Sequence, residues 1–270
     1  VPITLPPLRD RVEDIPLLAQ FFARRYATGR GRPMEFSPEA LEKLTPVFGR
    51  GDPSYEALYE QVTRQLLAIS GQDRIACFQG SATLAIEMAI ANFVRGRVLV
   101  VSTGYYSQRI ETLLRDRAGL TVDVVDWQHL AALAGRYHWM VAVSVETSRA
   151  LKLDNRALGT AATRLGAQLL LDATASIGLE DHHDEADVVA FSSCKGLCGL
   201  VGAAFVAFKS DLALRGAQGF YLDLHTHLER KVTGPYHALC SLAGTLPRLA
   251  AIRRSVREER YRIASQYAEL

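Results

Sequence analysis

The chain has almost no surplus charge: 31 basic side chains stand against 29 acidic ones, and the net charge is +2. A balance that close excludes capture of nucleic acid or of a membrane surface by bulk electrostatics. No apolar run in the 270 residues is long enough to span a bilayer. The opening, Val1-Pro2-Ile3-Thr4-Leu5-Pro6-Pro7, has neither the basic stretch nor the apolar core of a signal peptide. It also lacks an initiator methionine, which predicts a fragment of a longer chain. Cysteine is scarce. Cys77, Cys194, Cys198 and Cys240 form no disulfide framework, which predicts a reducing, cytoplasmic setting and small core or site-lining roles for all four. Metal ligands are lacking too. Cys194 and Cys198 have no partner ligands at zinc-site spacing. Adjacent His182 and His183 point apart, so His182-His183-Asp184-Glu185 reads as a solvated loop. His225 and His227 alternate like a strand edge, and the arginines Arg253, Arg254, Arg257 and Arg260 read as a solvated helix face. No metal site is predicted, and no internal repeat or low-complexity tract occurs.

What the chain does have is a hydrophobic fraction of 49%, enough for a real core. Seven apolar runs alternate with helical patterns: Ile75–Phe78, Val98–Ser102, Val122–Asp126, Met140–Val145, Gln168–Asp172, Val188–Phe191 and Ala203–Phe208. Runs this continuous in Val, Leu and Ile predict strands buried on both faces, hence a mostly parallel seven-stranded sheet in a three-layer α/β/α arrangement. The link from Phe191 to Ala203 is too short for a helical crossover, which predicts an antiparallel last strand. Ahead of the sheet, Glu13-Asp14 before Ile15-Pro16-Leu17-Leu18 predicts a helix to about Tyr26, and Ser37-Pro38-Glu39-Ala40 predicts another. A further helix is expected over Tyr55–Ser70, stopped by Gly71.

Two residues at strand ends carry the chemistry. Lys195, in Ser192-Ser193-Cys194-Lys195-Gly196, follows one apolar run and precedes another. Burial between strands would lower its pKa and make the amine a nucleophile able to form a Schiff base with an aldehyde. Asp172 ends the run Gln168-Leu169-Leu170-Leu171 and needs a cationic partner there. A pyridinium nitrogen would supply one. Lysine on an aldehyde and aspartate on a ring nitrogen is how proteins hold pyridoxal phosphate. Gln79-Gly80-Ser81-Ala82-Thr83, between the first strand and a helix, offers backbone N–H groups and hydroxyls for the phosphate. Tyr106, after the second strand, either stacks on the pyridine ring or packs at the sheet edge. Thr147, in Glu146-Thr147-Ser148, either reaches the phenolic oxygen or caps the next helix.

From Phe48 onward the chain resembles the class V aminotransferases, fold-type I pyridoxal-phosphate enzymes, and within them the 2-aminoethylphosphonate–pyruvate transaminases. The resemblance rests on Gln79-Gly80-Ser81-Ala82-Thr83, Gly104-Tyr105-Tyr106-Ser107-Gln108-Arg109, Val145-Glu146-Thr147, Leu171-Asp172-Ala173-Thr174-Ala175-Ser176-Ile177-Gly178 and Ser192-Ser193-Cys194-Lys195-Gly196. It implies Lys195 as the Schiff-base lysine and Asp172 as the ring-nitrogen partner. It implies Tyr106 for stacking, Thr147 for the phenolic oxygen, and Ser81, Ala82 and Thr83 for the phosphate, with Ser193 nearby. It also implies a homodimer in which Thr233 reaches the partner's phosphate. The substrates implied are a small amine and a keto acid, with no nucleic acid or membrane partner.

The sequence departs from that family in several places. Ala82 stands for a glycine, Ser148-Arg149-Ala150 for a small Thr-Gly stretch, and Cys194 for a polar residue. The strand that precedes Phe48 in the family is absent, and the chain ends at Leu270, before the family's substrate-carboxylate arginine. Cofactor binding with impaired turnover is therefore expected. Residues 1 to 44, through Leu5-Pro6-Pro7-Leu8-Arg9-Asp10-Arg11 and Val12-Glu13-Asp14-Ile15-Pro16-Leu17-Leu18, resemble the core-to-lid segment of bacterial enhancer-binding AAA+ activators. No Gly-Lys-Ser/Thr phosphate loop accompanies that segment, which excludes ATPase activity. The domains read as a helical segment over 1–46, a cofactor-binding large domain over 47–233 and the start of a truncated small domain over 234–270. The alternatives are another class V transaminase or lyase of the serine– or alanine–glyoxylate type, and a ligand-sensing regulator fragment.

Overall fold

Each apolar run becomes a strand, and all but the edge strand over Leu120–Asp126 are largely buried. The computed structural model describes residues 10–27, 51–229 and 232–268. The predicted helix after Ser37 and the Leu5–Leu8 run lie outside them. The chain divides into two compact units, residues 1–57 and 58–270. In the first, helix α1 (Asp14–Ala27) begins where predicted, with Asp14 in its first turn accepting from Arg11 at 3.1 Å. Helix α2 (Pro53–Ser70) starts in that unit and ends in the second.

In the second unit the elements follow in order: β1 (Arg74–Gly80), α3 (Ala82–Phe93), β2 (Gly96–Ser102), α4 (Tyr105–Arg115), β3 (Leu120–Asp126), β4 (Trp139–Val143), β5 (Val145–Glu146), β6 (Leu151–Lys152), α5 (Asn155–Leu165), β7 (Gln168–Asp172), β8 (Val188–Ser192), β9 (Gly202–Phe208), α6 (Leu224–Leu228), α7 (Tyr236–Thr245) and α8 (Leu249–Ala268). Seven strands form one sheet in the order β1-β9-β8-β7-β4-β2-β3. Strand β9 runs antiparallel to both neighbours, and every other neighbouring pair is parallel. The expected mostly parallel sheet with a reversed last strand is what forms. Helices α3 and α4 pack on one part of the sheet, and α5 and α7 pack against β7 and β9.

Alternate residues of the same strand feed two cores, as the strand period of 2 requires. Val188, Ala190, Val206 and Phe208 join Phe93 and Trp139 in one cluster. There Phe93 lies 5.0 Å from Phe208 and 6.4 Å from Trp139. Phe191 and Phe205, on the opposite face, stack at 5.1 Å. Each such buried side chain contributes about 1.5–3 kcal/mol relative to exposure.

Four expectations change. The fourth strand ends at Val143 rather than Val145. Ser144 leaves the ladder, its N–H donating to Asp172 O and its hydroxyl to Asn155 Oδ1, and Val145–Glu146 then pairs with Leu151–Lys152 as a separate hairpin. His225 and His227 lie in a short helix, not a strand edge, because Asp223 caps it by accepting from the His225 N–H at 3.0 Å. The His182–Glu185 run is not simply solvated. His183 is buried, with Nε2 3.0 Å from Ser176 Oγ, and burial pushes its pKa down to about 4. The arginine face of α8 is likewise engaged: Arg253 and Arg257 pair with Asp181, and Arg260 pairs with Glu180.

Candidate active site

The carboxyl ends of β1, β2, β4, β7 and β8 lie at one edge of the sheet, because these strands all point the same way. Crevices at that edge are where open α/β sheets bind ligands. Here the edge holds a cavity of about 430 Å³. Ser81, Ala82, Thr83, Tyr106, Thr147, Asp172 and Lys195 all line it, so seven of the nine residues singled out in the sequence meet in one place. Ten further residues line it, among them Arg109, Thr174, Ser192 and Val201, which the sequence reading did not select as site residues, and Cys194, one of the four cysteines expected in core or site-lining roles.

The floor is Asp172. It ends β7 at 5% exposure, and its Oδ1 accepts from the Thr174 N–H at 3.0 Å and the Thr174 hydroxyl at 2.5 Å. Burial pushes its carboxyl above the ordinary range. The Thr174 bonds pull it back, and Arg109 and Lys195 do so through space. The Asp-Ala-Thr order is an Asx-turn signal that could have revealed Thr174 in the sequence.

Lys195 stands in the tight turn between β8 and β9, with φ at 49°. A left-handed conformation at a residue with a Cβ costs about 1–2 kcal/mol. The turn is fixed by its neighbour: a Cβ on Gly196 would come within 2.5 Å of the Ile177 carbonyl oxygen, so only glycine fits there. Lys195 is exposed rather than enclosed between strands, so the expected desolvation is not its environment. Its Nζ lies 4.8 Å from the centre of the Tyr106 ring instead.

Ser81 precedes helix α3, and Ala82 is its first residue. The Ser81 hydroxyl makes no capping bond, and neither Thr83 nor Thr147 makes a side-chain hydrogen bond among the described residues. A helix start with free N–H groups and two free hydroxyls suits an anion. Ser193 and Thr233 stand apart. The Ser193 hydroxyl donates to Leu200 O at 2.5 Å and accepts from the Ala203 N–H, so it holds the β8–β9 turn and does not line the cavity. Thr233 is exposed, in a loop tied to the end of β1 where Gln79 Nε2 donates to Gly234 O at 3.0 Å.

Tyr106 is placed by a residue whose role the sequence reading missed. Glu146 is fully buried, and its Oε2 accepts from the N–H groups of Tyr106 and Ser107 and from the Thr103 hydroxyl. Its Oε1 accepts from the N–H and hydroxyl of Ser148. A carboxylate at a helix start satisfies N–H groups that have no partner in the helix. Replacing Glu146 by Ala should therefore destabilise the protein by on the order of 3 kcal/mol, whereas Glu146→Gln should recover part of that. Thermal melts of the two variants check this; equal melting temperatures for Glu146→Ala and the parent would refute it.

No protein-family model matches the chain. Over 204 residues, 67% of the chain, it is 29% identical to a 2-aminoethylphosphonate–pyruvate transaminase of Rhizobium meliloti (strain 1021). It spans 53% of that relative's length. A 45-residue stretch, 17% of the chain, is 53% identical to the Nif-specific regulatory protein of Rhizobium leguminosarum bv. trifolii and spans 13% of it. The subgroup IV aspartate aminotransferase of Thermus thermophilus superposes with a TM-score of 0.69 at 25% identity, over 81% of this chain and 70% of that one. The fold is thus the α/β aminotransferase fold. Within that class the chain is similar in sequence to the 2-aminoethylphosphonate–pyruvate transaminases.

Proposed function

We propose that this chain binds pyridoxal 5′-phosphate in the sheet-edge cavity and acts as an aminotransferase. One observation carries the reading: Lys195 and Asp172, from adjacent strand ends, line the same cavity as the open start of α3. The residues fit the group. Asp172 is a buried carboxylate with no ion pair among the described residues, and a protonated ring nitrogen is a cation that could pair with it. The free hydroxyls of Ser81 and Thr83 and the N–H groups of α3 suit a phosphate, and Tyr106 offers a ring face. Thr147 offers a hydroxyl for the phenolic oxygen. When bound, the cofactor supplies an electron sink for a substrate carbanion.

The chain's own residues do the rest. The Lys195 amine is the nucleophile for the aldehyde. Displaced by a substrate amine, it is the group placed to take a proton from the substrate carbon and return it. Asp172 holds the ring nitrogen in its protonated form. Glu146 keeps the Tyr106 backbone where the helix begins.

The amino donor in this reading is 2-aminoethylphosphonate and the acceptor pyruvate, supported by similarity to transaminases of that name. The functional unit is a homodimer. Val201 lines the cavity yet is 78% exposed, and its chain neighbour Leu200 is exposed too, which suits a surface covered by a second copy. Sedimentation should give twice the chain mass. The location is cytoplasmic, in keeping with four free cysteines, and no helix among the described residues is long and apolar enough to cross a membrane.

The test is direct. Purified chain is mixed with pyridoxal phosphate, reduced with borohydride and digested. The reduced cofactor should map to Lys195. A label on any other lysine, or none, overturns the reading. Alanine formation from pyruvate, with 2-aminoethylphosphonate compared against other amines, tests the donor.

A further inference from the structure

The least explained residue in the cavity is Arg109. It lies one helical turn after Tyr106 on α4, the i,i+3 spacing that brings two side chains together. Its guanidinium carbon sits 4.9 Å from the centre of the Tyr106 ring. Its Nε is buried with no hydrogen-bond partner, and it forms no ion pair among the described residues. An arginine held in a cavity without a carboxylate bonded to it directs its charge at whatever lies near. Asp172, a buried carboxylate, lines the same cavity.

We propose that Arg109 is a positioning residue: it braces the Tyr106 ring and supplies the permanent positive charge that keeps the buried Asp172 a carboxylate. The inference rests on the cofactor-binding reading for its purpose, but not for its measurement. Lys195 cannot fill this role. Its amine is the group that reacts and then carries a proton, so its charge changes during turnover. A guanidinium is never deprotonated in a protein. Burial pushes Asp172 toward its neutral form, and of the two cations opposing that, Arg109 alone is constant. Thr174 donates two hydrogen bonds to Asp172, and the titratable Tyr106 and Cys194 line the same cavity. Tyr106 and Cys194 have no positive form.

An opposite charge within about 4–6 Å moves a carboxyl by about 1–3 pH units, and a more distant one by less. The experiment is carbon-13 NMR of the full chain labelled at aspartate carboxyls, without cofactor. The Asp172 signal is assigned by its loss in Asp172→Asn. Arg109→Met keeps the unbranched stem and removes the charge; it should raise the Asp172 midpoint. Arg109→Lys keeps the charge and should leave the midpoint close to the parent's. If Arg109→Met does not fold, Arg109→Gln carries the same expectation. A midpoint unchanged by loss of the charge overturns the proposal. So does an Arg109→Lys shift as large as that of Arg109→Met, since that would be an effect of packing alone. Addition of pyridoxal phosphate to the same samples separates the two readings. A parent chain that shows the carboxyl shift but binds no cofactor refutes the function and leaves the charge coupling standing.

Discussion

Lys195→Ala should abolish covalent attachment of pyridoxal phosphate and lower transamination by about 10²–10⁴-fold, the range typical of losing a positioned acid–base group. The fold should survive. Lys195 sits at φ 49°, and an alanine there keeps the Cβ and therefore the same backbone strain. The side chain is exposed and makes no hydrogen bond of its own, so its removal leaves no buried group without a partner. The Tyr106 ring loses one cation at 4.8 Å but keeps the other, Arg109, at 4.9 Å. Borohydride reduction followed by mass spectrometry reads the attachment, and circular dichroism reads the fold. A variant that still carries a reduced cofactor on lysine would remove Lys195 from its role. A variant that unfolds would show that the strained turn depends on the lysine.

The strained turn also explains how far the sequence alone could be followed. Six of the seven strands were legible because burial on both faces writes continuous apolar runs, which need no knowledge of neighbours; the edge strand β3, though half exposed, carries Val122, Val124 and Val125 as well. The reversed strand β9 was legible from a link too short to cross over. Lys195 and Asp172 stood out in the sequence as a lysine and a carboxylate at the ends of apolar runs, and both line one cavity. The environment of Lys195 was not. Two buried strands flank it in sequence, yet in the left-handed turn between them it is exposed, and no local pattern encodes that. Glu146 was read only as part of a strand end. Its bonds reach Thr103, Tyr106 and Ser107, some forty positions away, and exist only once β2 and β4 are neighbours. Arg109 needed the same long-range step. The misread His225–His227 segment had a usable signal, Asp223 as a cap, but a five-residue helix shows too little periodicity to outweigh strict alternation.

Asp172→Asn should have opposite effects on the cofactor-free and cofactor-bound protein. Burial raises the Asp172 carboxyl above its ordinary value of 3.8. The folded protein then holds this proton more tightly than the unfolded chain does. As pH rises from the ordinary value through the raised one, stability falls, because the native state must ionise a group the interior disfavours. Asparagine has no such step, and its side-chain oxygen can still accept from the Thr174 N–H and hydroxyl. The cofactor-free variant should therefore melt higher than the parent near neutral pH, and the difference should vanish as the pH approaches the acid range. With pyridoxal phosphate present the order should reverse. A neutral amide cannot favour the protonated ring nitrogen; losing an opposite charge there is a change of about 1–3 pKa units. At 1.36 kcal/mol per unit that is about 1.4–4 kcal/mol, or roughly ten- to a thousandfold in affinity for the protonated cofactor. Thermal melts with and without pyridoxal phosphate, at several pH values, measure both halves. A variant that gains as much from the cofactor as the parent does would show that Asp172 does not face the ring nitrogen. A cofactor-free variant less stable than the parent at neutral pH would show that the carboxylate is a structural asset, not a cost borne for the site.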